Sequence, residues 1–209
     1  MGPEHARRRA FRNRPVHVTM RMRHDVHANL RRGKVWQHAR AVLRATREHL
    51  DCRIVHFAVL GNHLHLIVEA ADDGALRAAM KGFAVRMARR VNACLVGANG
   101  LARKGQVFAF RYDTHVLDRP LETRNVILYV LNNAKKHAAE SGRRFDRFWL
   151  DPFSSAPYFD GWIPEAEIWL ARPPDDDRAL VARPTHWLLT TGWRKHGLLD
   201  PGTLPKLHA

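Results

Sequence analysis

His63 and His65 are the residues whose type and spacing most directly suggest chemistry. They open the run His63-Leu64-His65-Leu66-Ile67-Val68-Glu69, which follows the apolar stretch Ile54 to Leu60 across Gly61 and Asn62. Side chains alternate faces along a strand, so both imidazoles point one way while Leu64 and Leu66 point into the opposite face. Two imidazoles side by side on a sheet are a starting point for a divalent metal site. The spacing alone is weak: with 14 histidines in 209 residues, roughly one His-x-His is expected by chance, and two polar residues at a strand end is the alternative. A second group lies further along. Tyr129 and Asn133 are four residues apart, hence neighbours on a helix, with Lys136 about 20° from Tyr129 around the axis. Val126, Ile127, Val130, Leu131 and Ala134 supply the apolar face. The row of Tyr129, Asn133 and Lys136 runs along its margin, where it either looks into a cleft or simply packs.

The elements that must position these residues can be read from periodicity. Pro15 to Met22 alternates as a strand does, and Trp36, Ala39, Leu43 and Leu50 recur at helical spacing. Ile54–Leu60 and His63–Glu69 form a hairpin about the Gly61-Asn62 turn. Asp72-Asp73-Gly74 caps a second helix with the stripe Leu76, Met80, Phe83, Met87, Val91 and Cys94. Gln106 to Leu117 reads as a fourth strand, and Pro120 suits the first turn of a third helix running to about Glu140. This order predicts an α+β protein, a ferredoxin-like antiparallel β-sheet with packed helices. Beyond residue 150 the signals weaken. Pro173-Pro174-Asp175-Asp176-Asp177 reads as a linker, and Thr185 to Gly197 as one short helix ending at a glycine. The expected organisation is a domain over residues 1–160 followed by a C-terminal tail, 161–209.

Charge narrows the class of partner. The chain carries 35 Lys and Arg against 20 Asp and Glu; residues 1–150 hold 29 basic and 12 acidic groups, and residues 151–209 hold 6 and 8. The whole basic excess therefore lies in the first part, where it favours a polyanion such as nucleic acid. An Arg-rich composition without function is the alternative. Two cysteines, Cys52 and Cys94, are too few for a disulfide framework or a thiolate zinc site. No apolar run is long enough to span a membrane, and Arg7-Arg8-Arg9 lacks the apolar stretch of a signal peptide. The expectation is a cytoplasmic protein with no membrane partner.

Five blocks, in order, carry a family resemblance: Pro15-Val16-His17-Val18-Thr19, Leu60-Gly61-Asn62-His63-Leu64-His65-Leu66-Ile67-Val68, Phe108-Ala109-Phe110-Arg111-Tyr112, Tyr129-Val130-Leu131-Asn132-Asn133 and Asp151-Pro152-Phe153-Ser154-Ser155-Ala156. Over about residues 14 to 160 the chain resembles the single-tyrosine HUH transposases, in particular the REP-associated tyrosine transposases of bacterial genomes. Gly61 and Ala134 stand where that family commonly has proline; neither position supplies a ligand.

The resemblance implies that His63 and His65 bind a divalent ion, Mg²⁺ or Mn²⁺, that Asn133 completes the metal site and that Tyr129 is the nucleophile. It implies transesterification on single-stranded or hairpin DNA at palindromic repeats, through a 5′-phosphotyrosine adduct, by a nucleoid-associated protein of a mobile element. Tyr112 and Tyr158 lack an asparagine four residues on. Lys136 is the candidate phosphate contact or leaving-group acid. Lys81, Arg86, Arg90 and Arg111 are candidates to hold the DNA backbone. Trp36, Phe108 and Phe110 could stack an unpaired base, against the default of core packing. His17, His56, His115 and His137 read as structural, His137 with a possible phosphate contact, and Glu69 as a candidate partner behind the metal ligands. A domesticated DNA-binding protein of the same fold and a water-using metal nuclease are the rival readings. Relatives include monomers and homodimers with the tyrosine helix in cis or in trans.

Overall fold

The computed structural model describes residues 10–49, 51–97, 99–109, 112–167 and 180–205. Leu50, Phe110, Arg111, the Arg7–Arg9 run and the Pro173–Asp177 linker lie outside the described residues. Strands β1 (Arg12–Arg21), β2 (Glu48–His49), β3 (Cys52–Val59), β4 (His63–Asp72) and β5 (Asp113–Val116) form one sheet in the order β2-β3-β4-β1-β5. Every pairing is antiparallel. With α1 (Gly33–Thr46) between β1 and the β3–β4 hairpin and α2 (Asp73–Cys94) between that hairpin and β5, this is the expected ferredoxin-like α+β arrangement, extended by the two-residue edge strand β2.

The two faces of the sheet have different fates. Val16, Val18 and Met20 of β1 and Leu64, Leu66 and Val68 of β4 bury against Ala39, Val42 and Leu43 of α1 and Leu76, Met80, Phe83 and Met87 of α2. Each such side chain contributes about 1.5–3 kcal/mol by leaving water. Asp72 caps α2, its Oδ1 accepting from Ala75 N at 2.8 Å. The opposite face carries His17, Thr19, His63, His65, Ile67 and Glu69, by the same alternation. It is covered by α3 (Pro120–Leu131), α4 (Asn133–Glu140) and the C-terminal segment.

Three expected elements differ in extent. The first helix stops at Thr46 rather than running to Leu50, because Glu48 and His49 pair with Arg53 and Cys52 as β2. The fourth strand is limited to Asp113–Val116: Val107 and Phe108 turn into the first core, and Phe108 makes an isolated bridge to Met22. The third helix is broken at Asn132, with φ −100° and ψ 14°. Its side-chain Nδ2 donates to the carbonyls of Pro201 and Thr203, both at 2.9 Å, which fixes the break from outside the helix.

The described part of the tail is integral to the second core. Trp162, Trp193 and Leu199 are fully buried with Ile127, Leu128 and Leu131 of α3. A π turn at Leu188–Gly192 and a 3-10 turn at Trp193–His196 stand where one short helix is expected, ending at Gly197 with φ +83°.

Candidate active site

The β1–β4 pairing sets the geometry. Thr19 lies directly opposite His65, and Arg21 opposite His63. Diagonally across the strands, His17 stacks on His65 with ring centroids 5.2 Å apart. His63 and His65 meet edge to face at 5.1 Å. Above them passes the broken helix. The Tyr129 ring lies 5.3 Å from that of His65 and 5.8 Å from that of His17, and His137 lies 5.6 Å from His63. Asn133, the first residue of α4, lies in sequence between Tyr129 and His137, whose rings meet those of His65 and His63. The tyrosine and the histidine pair thus converge within a single chain. Tyr112 instead packs against the first core, and Tyr158 sits in a 3-10 turn at Ala156–Tyr158.

The hydrogen-bond partners assign the ring nitrogens. His63 Nδ1 is 2.8 Å from Asn62 Oδ1, which can only accept, so Nδ1 donates and Nε2 carries the lone pair. His65 Nδ1 lies 3.1 Å from both Thr19 Oγ1 and His17 Nε2, while its Nε2 is buried without a partner. With Nδ1 protonated, that Nε2 is a second unused lone pair. Burial lowers the pKa of His63 to about 4 and of His65 to about 2; neighbouring Arg21, His137 and His17 add to the effect. His17 falls to about 4 for the same main reason, with His115 contributing. All three are neutral at pH 7, as metal ligation requires.

Asn133 is fully buried, and neither its Oδ1 nor its Nδ2 finds a hydrogen-bond partner. Leaving such groups unpaired costs about 1–3 kcal/mol each. The Asn133 amide oxygen and the His65 Nε2 are both buried without partners, and each is an atom that a divalent cation could take as a donor. Among the described residues no three His, Cys, Asp or Glu side chains gather as a metal-binding group. An ion bound by the two imidazoles would need further donors from outside that pair. Lys136 Nζ lies 5.3 Å from the centre of the Tyr129 ring and 3.4 Å from Glu140 Oε1. Glu140 also binds His137 Nδ1 at 2.9 Å.

The profile of the transposase IS200-like family matches residues 13–133, from the start of β1 through Asn133. The chain belongs to the IS200-like transposase family. That membership gives it transposase as its functional class. Among solved structures this IS200-like transposase is similar to a REP-associated tyrosine transposase bound to a REP hairpin, at 18% identity over 73% of this chain and 82% of that one, with a TM-score of 0.46. It is also similar to a transposase candidate from Deinococcus radiodurans R1, at 16% identity over 69% of this chain and 100% of that one, with a TM-score of 0.40. No curated protein gives a match.

Within the transposase, the remaining candidates are not all at this site. Lys81, Arg86 and Arg90 are exposed on α2, across the sheet from Tyr129. Trp36 is half-buried with its ring 4.9 Å from that of Phe153, and Phe108 is in the core, so both pack rather than present a stacking face. Glu69 shares the face of His63 and His65, but its carboxylate accepts from Thr185 N, Thr185 Oγ1 and His186 N at 2.6–2.7 Å. It fastens the C-terminal segment instead of backing a histidine. Among the described residues no helix is long and apolar enough to cross a membrane.

Sequence reasoning read His17 as structural and gave Thr19 and Arg21 no role at the site. They share the strand face opposite Val16, Val18 and Met20, and the ferredoxin-like order makes β1 the neighbour of the histidine strand. That combination was the available signal.

Proposed function

We propose that this transposase cleaves and rejoins single-stranded DNA through a phosphotyrosine intermediate, with Tyr129 as nucleophile. The observation that carries the reading is the convergence of the Tyr129 ring, from α3, on His65 and of the His137 ring, from α4, on His63. Tyr129 and the histidine pair meet within one chain, which supports action in cis. Hairpin or palindromic repeat DNA is the proposed substrate; family membership and the basic excess of residues 1–150 support it.

His63 Nε2, His65 Nε2 and Asn133 Oδ1 would hold Mg²⁺ or Mn²⁺. Bound there, the ion supplies Lewis-acid stabilisation of the phosphate and orients it. The rest falls to the chain's own groups. A phenol is a poor nucleophile at neutral pH. The Lys136 ammonium beside the Tyr129 ring favours negative charge developing on the phenol oxygen. Tyr129 Oη bonds to phosphorus as the bond to the 3′-oxygen of the preceding nucleotide breaks. The phenolic proton passes to solvent and the departing 3′-oxygen takes one up, with Lys136, whose Nζ lies 5.3 Å from the centre of the Tyr129 ring, the proposed donor. The products are a 5′-phosphotyrosine and a free 3′-hydroxyl, which can attack such an adduct in reverse and join strands. Arg21, exposed at the end of β1 beside His63, is placed to bind the phosphate backbone.

The test is a denaturing gel after incubation with labelled single-stranded DNA and Mg²⁺ or Mn²⁺. A covalent adduct is expected from the parent and none from Tyr129→Phe, with DNA binding kept. Nicked DNA without adduct would replace this reading by water-dependent hydrolysis, and binding without cleavage by a domesticated DNA-binding role.

A further inference from the structure

Helix α4 ends at Ser141, and Gly142, at φ +71°, reverses the chain. The loop that follows, Arg143-Arg144-Phe145-Asp146-Arg147-Phe148-Trp149, is fastened to α4 at two points. Arg143 N donates to Ala138 O at 2.8 Å, and Lys135 Nζ donates to Arg147 O at 2.6 Å. Lys135 and Ala138 flank Lys136 and His137, so the loop lies against the helix that serves the candidate site. Phe148 turns inward to the second core. Phe145 and Trp149 do not: their rings lie face to face, centroids 3.9 Å apart and 6° from parallel, with Phe145 42% exposed and neither in a core cluster. Asp146 holds the turn by accepting from Phe148 N at 2.8 Å. Arg147 is paired with Asp200, whereas Arg143 and Arg144 are exposed and make no ion pair with a described residue.

We infer that the Phe145–Trp149 pair, on the loop that follows α4, is a stacking platform for an unpaired base of single-stranded DNA, with Arg143 and Arg144 on the adjoining phosphates. An exposed flat aromatic face with free guanidinium groups is the combination that binds nucleotides irrespective of sequence. Phe145 is also the exposed ring that the half-buried Trp36 and core-bound Phe108 fail to supply, with the half-buried Trp149 stacked against it. The inference deepens the proposed function by naming a contact for the unpaired strand, and it rests on that reading for its role, though not for its measurement.

The experiment uses the full chain carrying Tyr129→Phe, in EDTA, with a fluorescent single-stranded oligonucleotide read by anisotropy; no cleavage is needed. Phe145→Leu, which keeps apolar bulk and removes the π face, is expected to weaken binding roughly five- to a hundredfold. Phe145→Trp is expected to retain it. Arg143→Ala with Arg144→Ala should reduce the slope of log K against log salt by about 1.4, since each phosphate of a single strand that is no longer neutralised takes away about 0.7. In the Tyr129 parent, Phe145→Leu should still form adduct at saturating DNA, so failure of the adduct chemistry and failure of the platform are separately visible. Equal affinity for Phe145→Leu and Phe145→Trp overturns the inference. So does an unchanged DNA affinity with an altered oligomeric state in size-exclusion chromatography, which would make the pair an interface between copies of the chain.

Discussion

Glu69 offers a sharp test of how the tail is held to the catalytic strand. The residue is 8% exposed, and its Oε1 accepts from the backbone N–H groups of Thr185 and His186 while Oε2 accepts from Thr185 Oγ1. A hydrogen bond to a charged group is worth about 1.5–3 kcal/mol, but the three disappear together and the desolvation cost of the carboxylate is recovered. Glu69→Ala is therefore expected to cost about 3 kcal/mol. Glu69→Gln preserves the pattern: Oε1 still accepts both backbone N–H groups and Nε2 donates to Thr185 Oγ1. It forfeits the charge assistance alone, about 1 kcal/mol. Urea unfolding followed by tryptophan fluorescence reads both. With a slope of about 2–3 kcal/mol per molar, the midpoint should fall by about 1–1.5 M for alanine and by less than about 0.5 M for glutamine. Adduct yield at saturating metal and DNA should be unchanged in Glu69→Gln. A midpoint for alanine within about 0.2 M of the parent would refute the fastening role. An adduct lost equally in both variants would mean that the negative charge itself serves the histidines.

Three further outcomes are expected from the packing and burial described above. Asn133→Leu, which removes a buried amide with no partner, should raise stability by about 1–2 kcal/mol and Tm by about 2–8 °C while weakening Mn²⁺ binding in an electron paramagnetic resonance titration; a lower Tm would mean the amide is satisfied. Gly161→Ala should destabilise by about 1–3 kcal/mol in thermal melts, because the added methyl would collide with the Phe159 and Trp193 rings; an unchanged Tm would show that those rings yield freely. Burial lowers the pKa of Lys135 from 10.5 to about 8, so between those values the unfolded chain holds a proton the folded one lacks. Stability relative to Lys135→Met should therefore rise with pH from about 8 toward 10.5, by at most about 1.4 kcal/mol per pH unit; a flat or falling difference in urea midpoints refutes it.

Local periodicity made much of this legible. Alternation alone placed His63, His65, Ile67 and Glu69 on one face, whereas the spacing of four between Tyr129 and Asn133 spans the break at Asn132 that divides them between α3 and α4. The ferredoxin-like order followed from element types and turn residues. What escaped depends on distant partners. The break at Asn132 is fixed by carbonyls about 70 residues downstream, so no local signal marks it in a segment otherwise suited to helix. The tail looked uninformative because Trp162, Trp193 and Leu199 bury singly against α3 without a repeating pattern. Basic residues on α2 reveal a solvated helix face, but not which side of the sheet that helix covers. Phe145 and Trp149 escaped because an i, i+4 aromatic spacing in a loop has no fixed geometric meaning until Gly142 reverses the chain.

The tether between Asn132 and the carbonyls of Pro201 and Thr203 has a consequence for timing. During synthesis, the sheet histidines and the whole tyrosine helix are made long before the residues that set the angle between its two halves. The angle between the two halves of the helix is therefore a late acquisition of folding, fixed only when Pro201 and Thr203 dock on Asn132.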